Sequence, residues 1–475
     1  MRPTAAAIRT TSAAFGVLAL AACAALPSAA PAPGAKPASA YATAQAFAAA
    51  PAAWPDDHWW TAYGDAQLDG LMDEALKNSP TLASASARVR RAEALANQAR
   101  AAESPSVAAD LSVQETKFSY NNGIPPAFTP HGYNPESRAA LDFSWELDFW
   151  GKNRAAVAAA TSETRATQAD AAQARLMLST SVASAYADLD RLYRERDLAD
   201  RTLALRQETS GLVAQRVSSG LDTRGEQRQA ESEPLQAQAD LAAVDEQIAL
   251  TRNRLAALLG AGPDRGLSIA RPPAEALKPF GVPANLAADL LGRRPDVVAA
   301  RWRAEAATRG VDRAKAAFYP DVNLTGFLGF QALTLDTLLS KGSDIGQFGP
   351  ALSLPIFEGG KLRAGLRGAE ADRDAAVAAY DGAVTEALHQ VADAVTGERA
   401  LQTELTSSRA ALAASEEAWN IAQLRYKGGL SAYPAVLLAE QSVIARRRAV
   451  ADLESRALAL DVALVRALGG GFAGA

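Results

Sequence analysis

Residues 144–155 read SWELDFWGKNRA and differ from the Ala-rich, helix-like sequence that surrounds them. Apolar Trp145 and Leu147 alternate with acidic Glu146 and Asp148, which is the period-two pattern of a β-strand. The alternation stops at Gly151, and a helical pattern follows. A weaker copy, SLPIFEGGKLRA, occupies residues 353–364. The chain therefore contains two places where a strand is expected to lead into a helix.

The alternation around this stretch extends over residues 138–149. About ten residues of this kind predict a membrane-spanning β-strand, with lipid on one side and water on the other. A soluble sheet with one face on a core would alternate in the same way. Aromatic residues near one end, Trp150 included, suit the belt at a membrane interface. The lipid-facing candidates are Leu141, Phe143, Trp145, Leu147 and Phe149, and the lumen-facing candidates are Asp142, Glu146 and Asp148.

Three further segments are candidate strands of the same kind: residues 106–118, 321–330 and 347–356. Pro350 and Pro355 weaken the last one, because proline cannot donate to a strand ladder. Four strands cannot form an open sheet in lipid, since its edges would leave backbone groups unpaired. Two copies would supply eight strands and three would supply twelve, and the larger ring leaves room for a pore. The polar face favours three copies.

The chain is a tandem duplication. The stretch Gly151-Lys152-Asn153-Arg154 matches Gly360-Lys361-Leu362-Arg363, an offset of 209 residues, and Gly220 matches Gly429 at the same offset. Upstream, Pro105 matches Pro320, an offset of 215 residues, so an indel of six residues lies between positions 105 and 151. Equivalent segments of the two halves should therefore adopt the same structure.

Each half predicts one shorter helix before its strands and two long helices after them. The shorter helices are expected at 80–104 and 295–318, each opening at a proline. The long helices are expected at 153–217 and 223–259, and at 361–426 and 434–468. Heptad spacing from Leu241 to Leu258 indicates coiled-coil packing, and Pro234 is expected to kink its helix.

The first residues predict export and a lipid anchor. Arg2 and Arg9 precede an apolar stretch, residues 12–22, that is too short to span a membrane stably. It ends in Leu20-Ala21-Ala22-Cys23, which resembles a bacterial lipobox, and Cys23 is the only cysteine. The alternative is an ordinary signal peptide followed by a chance cysteine. Acylated Cys23 would hold the chain at the outer membrane, and the Ala/Pro-rich residues after it would form an extended tether.

Other classes of function find little support in the sequence. A net charge of −5 does not suggest a nucleic-acid partner. His58, His131 and His389 are far apart, and no residue spacing matches a metal site. No nucleophile elbow or nucleotide-binding fingerprint occurs. We therefore expect no enzymatic activity, no metal, and no cofactor besides the covalent lipid on Cys23.

The chain resembles the TolC-like outer-membrane factor family and, within it, the NodT-type lipoprotein subgroup. The matching segments are the box ending at Cys23, Trp59-Trp60, 68-LDGLMDEAL-76, 143-FSWELDFWGKNRA-155, 293-RRPDVVAAR-301 and 425-RYKGGL-430. The resemblance implies a homotrimer whose twelve strands form an outer-membrane β-barrel and whose long helices continue it as a periplasmic α-barrel. It also implies docking to a periplasmic adaptor and an inner-membrane pump.

The predicted fold class is thus mainly α with membrane β, a tandem repeat of long coiled-coil helices and β-hairpins. The expected segments are a signal peptide (1–22), an acylated tether (23–60), a first repeat (61–265), a linker (266–283), a second repeat (284–469) and a tail (470–475). The expected function is the outer-membrane channel of a tripartite efflux system of the RND type, a passive conduit for drugs or other small molecules. The alternatives are the exit duct of a type I secretion or metal-efflux system and a periplasmic adaptor or scaffold lipoprotein.

Chain order places the helical tips at 217–223 and 427–433. Several family members carry carboxylate rings near the tip of the second repeat, but the matching positions here are Ala435 and Leu438. The counterpart of Ala435 in the first repeat is Glu226, and the tip tyrosine of the family is matched by Tyr426. We expect Glu226 and Tyr426, with Arg224 and Arg425 beside Gly220 and Gly429, to hold a closed tip; the alternative is a set of solvated helix-end charges.

Overall fold

The computed structural model describes residues 34–42, 51–123, 125–273, 282–283 and 292–473. The predicted signal peptide, Cys23, most of the tether and much of the linker lie outside the described residues. The chain folds into two compact units. The first contains Val89–Thr167 and Ala300–Tyr380, and the second contains Lys36–Arg88, Gln168–Ala299 and Asp381–Ala475. Each unit thus draws on both sequence repeats.

The helices follow the duplicated plan. The first repeat contains α1 (Ala66–Asn78), α2 (Pro80–Ala101), α3 (Lys152–Ser218) and α4 (Arg224–Leu258). The second contains α5 (Pro295–Ala316), α6 (Lys361–Lys427) and α7 (Tyr433–Leu468), and α3 and α6 each have 67 residues. The predicted helices are therefore confirmed to within three residues at each end, and α4 continues through Pro234. No helix in the described part of the chain is long and apolar enough to cross a membrane.

The core of the second unit combines residues of both repeats. Trp59 and Trp60 are each 2% exposed and pack with residues of α1, α3, α4 and α7. Ordered packing therefore begins before residue 61, although the sequence placed these tryptophans at the end of the tether. The Tyr63 hydroxyl donates to Asp461 Oδ2 at 2.6 Å, which joins the two repeats inside this core. From the predicted heptad, Val244, Ile248 and Leu255 are buried.

The first unit contains one antiparallel sheet. Its strands are β1 (Ser106–Lys117), β2 (Tyr133–Leu147), β3 (Asp321–Ala332) and β4 (Asp344–Ser353), in spatial order β1-β2-β3-β4. The chain therefore supplies the four predicted strands. A second, two-residue parallel ladder pairs Pro51–Ala52 with Val282–Pro283 in the other unit.

The strand limits correct two details of the prediction. Strand β2 begins five residues earlier than expected and ends at Leu147, so Asp148 and Phe149 lie beyond it. The chain leaves the strand because the Phe149 amide donates back to the Leu147 carbonyl at 2.9 Å, and Gly151 then adopts a φ of 80°. Strand β4 ends at Ser353, before Pro355. Both strands are thus displaced toward the hairpin loops.

Candidate functional sites: the membrane sheet and the helical tip

One face of the sheet is apolar, and nothing in the described chain covers it. The register aligns Val107 with Phe143, Gly326 and Phe348 across the four strands. The predicted residues Leu141, Phe143, Trp145 and Leu147 lie on this face. Its most exposed side chains are Val107, Leu111, Val113, Leu141, Leu328, Phe348 and Leu352. A contiguous exposed apolar surface of this kind marks a membrane or partner surface.

The opposite face of the sheet is polar and internally paired. Arg138 reaches Asp110 and Asp142 at 3.0 Å each, and its guanidinium lies 5.3 Å from the Phe327 ring centre. The predicted lumen-facing residues Asp142 and Glu146 both lie on this face. Alternation of lipid-type and water-type faces therefore extends through all four strands, as a barrel wall requires.

A lysine joins the two repeats where the sheet meets the helices. Lys152, the first residue of α3, lies 2.7 Å from Glu146 Oε1 and 2.9 Å from Asp321 Oδ1. Burial alone would lower the pKa of Lys152, but the hydrogen bonds and charges of the two carboxylates raise it overall. Its counterpart Lys361 is mostly exposed and lies 3.8 Å from Glu358. The duplication is therefore asymmetric at this junction.

Asp148 begins a helix and does not line the strand. Its Oδ2 accepts a hydrogen bond from the Arg154 backbone N–H at 2.9 Å. Burial would raise the pKa of Asp148, but the backbone N–H groups of Arg154 and Asn153 and the Arg154 side chain lower it overall. The assignment of Asp148 to the lumen-facing strand was therefore wrong, because this carboxylate binds the free N–H groups at the start of α3. Phe149, predicted to face lipid from the strand, is exposed in the same turn.

The tryptophans near this junction use their indole N–H groups. Trp145 donates to the Glu103 carbonyl at 3.0 Å, and Trp150 donates to the Pro320 carbonyl at 2.8 Å. Trp150 also stacks on Tyr319 with ring centres 4.8 Å apart. These aromatic rings lie at one end of the strands, where an interfacial belt is expected.

The two helical tips have the same backbone geometry. At the end of α3, Leu221 N–H binds the Arg216 carbonyl at 2.8 Å, and Gly220 has a φ of 72°. At the end of α6, Leu430 N–H binds the Arg425 carbonyl at 2.7 Å, and Gly429 has a φ of 74°. Both are glycine-terminated Schellman turns, which explains why glycine stands at both positions.

Three side chains connect the two repeats at the helical tip. Arg216 binds Asp222 through Nε at 3.0 Å and Nη2 at 3.3 Å. The Tyr426 hydroxyl donates to the same carboxylate. Arg216 also donates to the Tyr426 carbonyl at 3.2 Å, and its guanidinium lies 4.5 Å from the Tyr426 ring centre. This set, the tip triad Arg216–Asp222–Tyr426, links the end of α6 to the loop after α3.

The tip triad stands on an apolar cluster and holds Asp222 ionised. Tyr426 and Tyr433 are buried among Val213, Ala230 and Val436. Burial would raise the pKa of Asp222, but the hydrogen bonds from Arg216 and Tyr426 and the Arg216 charge lower it overall. Burial and then the neighbouring Asp222 raise the pKa of Tyr426. The triad is therefore an ionised carboxylate held by one cation and one neutral hydroxyl.

Of the tip residues expected from sequence, Tyr426 belongs to this triad and Glu226 does not. Glu226 forms a capping box: its Oε2 accepts from Thr223 N–H at 2.8 Å, and Thr223 Oγ1 accepts from Glu226 N–H at 3.3 Å. Arg224 and Arg425 are exposed. Arg216 and Asp222 were missed, although both stand at the ends of the repeated segment 216-RVSSGLD-222. One feature of the sequence could have drawn attention to Asp222: its counterpart in the second repeat is Ser431, so the aspartate is specific to the first tip loop.

A second polar group is buried behind the tip. Arg206 on α3 reaches Glu233 Oε2 on α4 at 3.0 Å and Glu440 Oε1 on α7 at 3.4 Å. Glu440 is 2% exposed, and burial raises its pKa despite the opposing effect of Arg206. This arginine binds three helices of the second unit together. Within the described ranges, no group of His, Cys, Asp and Glu could hold a metal ion.

Comparison with known proteins identifies the class to which this sheet and these helices belong. The family model for outer membrane efflux proteins matches the chain twice, over residues 71–261 and 286–470. The chain therefore belongs to the outer membrane efflux protein family, whose members are channels and not enzymes. The starts of the two matches are 215 residues apart and their ends 209 residues apart, which confirms the duplication and both of its offsets. The NodT-type subgroup stays a prediction.

Individual relatives agree with this assignment. The chain is 33% identical over 428 residues to the multidrug resistance outer membrane protein MdtP of Shigella flexneri, covering 89% of this chain and 88% of that protein. It is 40% identical over 323 residues to the fusaric acid resistance protein FusA of Burkholderia cepacia, covering 67% of this chain but only 61% of FusA. The crystal structure of the outer membrane protein VceC of Vibrio cholerae matches with a TM-score of 0.82 and 45% identity, covering 88% of this chain and all of VceC.

Proposed function

We propose that this chain forms, as a homotrimer, the outer-membrane channel of a tripartite efflux system driven by an RND-type pump. The observation that carries the proposal is the four-stranded sheet, which has one exposed apolar face, one polar face and two edges that no other described strand of the chain pairs with. Such a sheet is stable in lipid only when copies close it into a barrel. Three copies supply twelve strands, enough to enclose a water-filled pore.

The cargo that fits this conduit is a set of small organic molecules delivered by the pump. Support comes from the relatives, which are named for multidrug resistance and for resistance to fusaric acid. The tip triad would form part of the periplasmic closure, and a periplasmic adaptor would dock on the helices around it. The polar sheet face would line the exit.

The same proposal includes a lipid on Cys23. Its thiol would form a thioether with a diacylglyceryl group, and the Ala/Pro-rich segment after it would connect the anchor to the folded chain. Mass spectrometry of the mature N-terminus tests this step. A diacylglyceryl-modified Cys23 is expected, and an unmodified N-terminus beginning at another residue would contradict it.

The function itself is tested in cells and in planar bilayers. A strain lacking the chain should accumulate more of an exported dye, and purified chain should form discrete ion-conducting pores. Purification from native membranes after mild cross-linking should bring down an adaptor and an inner-membrane pump. A monomeric protein that fractionates with the inner membrane and forms no pores would favour an adaptor or scaffold instead.

A further inference from the structure

A cavity of about 340 Å³ lies within the second unit, between the two repeats. The first repeat contributes Tyr63, Tyr186 and neighbouring residues of α1 and α3 to its lining. The second repeat contributes Leu405 of α6 and Leu458 of α7, and residues 272–273 complete the wall. Pockets that bind small molecules measure about 300–1,000 Å³, so this cavity is large enough for a small organic ligand.

The charged residues of the lining include one more acid than bases. The acids are Asp65, Asp190 and Glu454, and the bases are Arg194 and Arg409. Arg194 Nε lies 2.8 Å from Asp190 Oδ2. Arg409 Nη2 lies 2.8 Å from Glu454 Oε1. Each arginine therefore has an acidic partner, and Asp65 is the acid that remains.

Asp65 is buried and is held by neutral donors. As the N-cap of α1, its Oδ1 accepts from the backbone N–H groups of Gln67 and Leu68 at 2.9 and 3.2 Å. Its Oδ2 accepts from the Tyr186 hydroxyl. Among the residues that the structure describes, no lysine, arginine or histidine forms a salt bridge with Asp65. Because a buried carboxylate without a cation is costly, a positively charged ligand beside it would offset that cost.

The groups around Asp65 also favour a cation. Burial, and then the charges of Asp65 and Asp73, raise the pKa of Asp69 one turn along α1. Burial, and then the hydrogen bond to Asp65, raise the pKa of Tyr186, so its hydroxyl stays neutral. The rings of Tyr63 and Tyr186 are both buried in the cavity lining. Tyrosine rings attract a cation that lies within about 6 Å of the ring centre.

We propose that this cavity binds a small aromatic cation between the two repeats. Its positive group lies beside Asp65 and the rings of Tyr63 and Tyr186, and its apolar part packs against Leu405 and Leu458. An anion is disfavoured because both arginines of the lining are already paired and Asp65 would repel it.

The ligand stabilises the second unit by contacting both repeats at once. The lining contains residues of α3 from the first repeat and of α6 and α7 from the second. A molecule that binds the folded chain and not the unfolded chain raises the free energy of unfolding. This site goes beyond the proposed channel function, because its ligand acts as an effector of the helical wall whatever cargo the channel carries.

Three variants separate the charge of the cavity from its shape. Asp65→Asn removes the charge alone, because asparagine is an equally good N-cap and can accept the same three hydrogen bonds. Asp73→Asn removes the same charge from an exposed position of α1 outside the cavity lining and is the matched control. Ala187→Leu narrows the cavity without changing its charge, since Ala187 is a buried residue of the lining.

Titration calorimetry of the purified full-length protein gives the readout. The probe is proflavine, a flat aromatic cation, and its counterpart is acridine, which has the same rings but is uncharged near neutral pH. Wild type should bind proflavine saturably and more tightly than acridine. Asp65→Asn should weaken proflavine binding about tenfold or more, whereas Asp73→Asn should bind like wild type. Ala187→Leu should weaken the binding of both molecules. Proflavine should also raise Tm in wild type and in Asp73→Asn but not in Asp65→Asn.

Several results would overturn the proposal. Wild type that does not bind proflavine saturably would remove the site, and unchanged binding in Asp65→Asn would place the ligand elsewhere. Equal losses in Asp65→Asn and Asp73→Asn would show a general effect of surface charge. Equal affinity for acridine and proflavine would contradict a cation as the ligand. If Ala187→Leu does not fold, the asparagine variants decide alone. None of these results bears on pore formation, which planar bilayers measure separately.

Discussion

The Tyr426 hydroxyl donates a hydrogen bond to the Asp222 carboxylate, across 204 residues of sequence and between the two repeats. Arg216 binds the same carboxylate from the other side. One acidic side chain in the first tip loop therefore connects both helical hairpins of the chain. Its counterpart in the second tip loop is Ser431, which carries no charge.

Removing this connection should loosen the periplasmic closure proposed for the tip. Tyr426→Phe deletes a hydrogen bond to a charged group, worth about 1.5 to 3 kcal/mol, which corresponds to roughly a tenfold or greater rise in the open population. We expect a larger single-channel conductance and greater entry of a bulky antibiotic. Asp222→Asn should act in the same direction. Arg425→Ala, which changes an exposed neighbour outside the triad, is the control that should conduct like wild type. Unchanged conductance in Tyr426→Phe and Asp222→Asn would remove the triad from gating.

The capping box of the first tip provides a stability test with an internal match. Thr223→Ala should lower the free energy of unfolding of the tip by about 1 kcal/mol, because α4 loses its N-cap. The second repeat has Ala432 and Ala435 at the equivalent positions and no side-chain cap. The double change Ala432→Thr and Ala435→Glu should therefore raise the free energy of unfolding of the second tip by as much as about 1 kcal/mol. Hydrogen exchange of the tip amides measures both, and equal protection in all three proteins would contradict the capping argument.

The lysine between Glu146 and Asp321 should matter more than its counterpart. Lys152→Ala leaves two partly buried carboxylates without a cation, and we expect a loss of about 2 kcal/mol or more at the junction of sheet and helices. When samples are heated before electrophoresis, the band of folded protein should disappear at a lower temperature for Lys152→Ala than for wild type. Lys152→Arg should recover part of the loss. Lys361→Ala, in a mostly exposed pair, should change this temperature little, and an equal drop in both alanine variants would refute the asymmetry.

Glu398 should make the stability of the second unit depend on pH. Burial, and then the charge of Asp461, raise the pKa of Glu398 to about 7 from an ordinary 4.5. Between these values the folded chain holds a proton that the unfolded chain releases, so the free energy of unfolding falls as pH rises from about 4.5 to about 7. Because Glu398 is partly exposed, we expect this fall in the free energy of unfolding to be on the order of 1 to 2 kcal/mol.

Thermal melts compare Glu398→Gln with wild type across that range. The glutamine keeps the side-chain shape but cannot release a proton, so Tm should fall less between about pH 5 and about pH 8. Glu404→Gln, an exposed position on the same helix, should follow the wild-type curve. Parallel curves for Glu398→Gln and wild type would show that Glu398 titrates near its ordinary pKa.

The periodic elements could be predicted from sequence because their signal repeats many times. Alternation from Arg138 to Leu147 predicted both faces of β2, and the duplication transferred the helix limits from one half to the other. The alternation also continued by chance through Asp148 and Phe149. Strand and helix-capping positions can both carry an aspartate, and only the hydrogen bond to the Arg154 amide separates the two roles.

The tip triad could not be predicted in the same way. Repeat alignment compares equivalent positions, such as Tyr426 with Val217, whereas the contacts join positions that are not equivalent. Arg216 meets Tyr426 because the two hairpins pack side by side, and this packing is a property of the folded chain. Glycines and capping residues showed where the tips lie, but the partners of each charge depended on tertiary structure.

Thr325 lies two strands across from Ser106, four residues beyond Asp321, which is the counterpart of Ser106 in the second repeat. This four-residue shift between the repeats determines how strongly the strands tilt in the barrel wall. A shift of four residues of about 3.4 Å each, over two strand spacings of about 4.8 Å, corresponds to a strand tilt of about 55° from the barrel axis. This tilt is larger than the usual range of about 35–45°. At that tilt a twelve-residue strand rises about 23 Å, close to the height of about 25 Å of the apolar band of an outer membrane. Strands of this length are therefore just long enough to cross the bilayer.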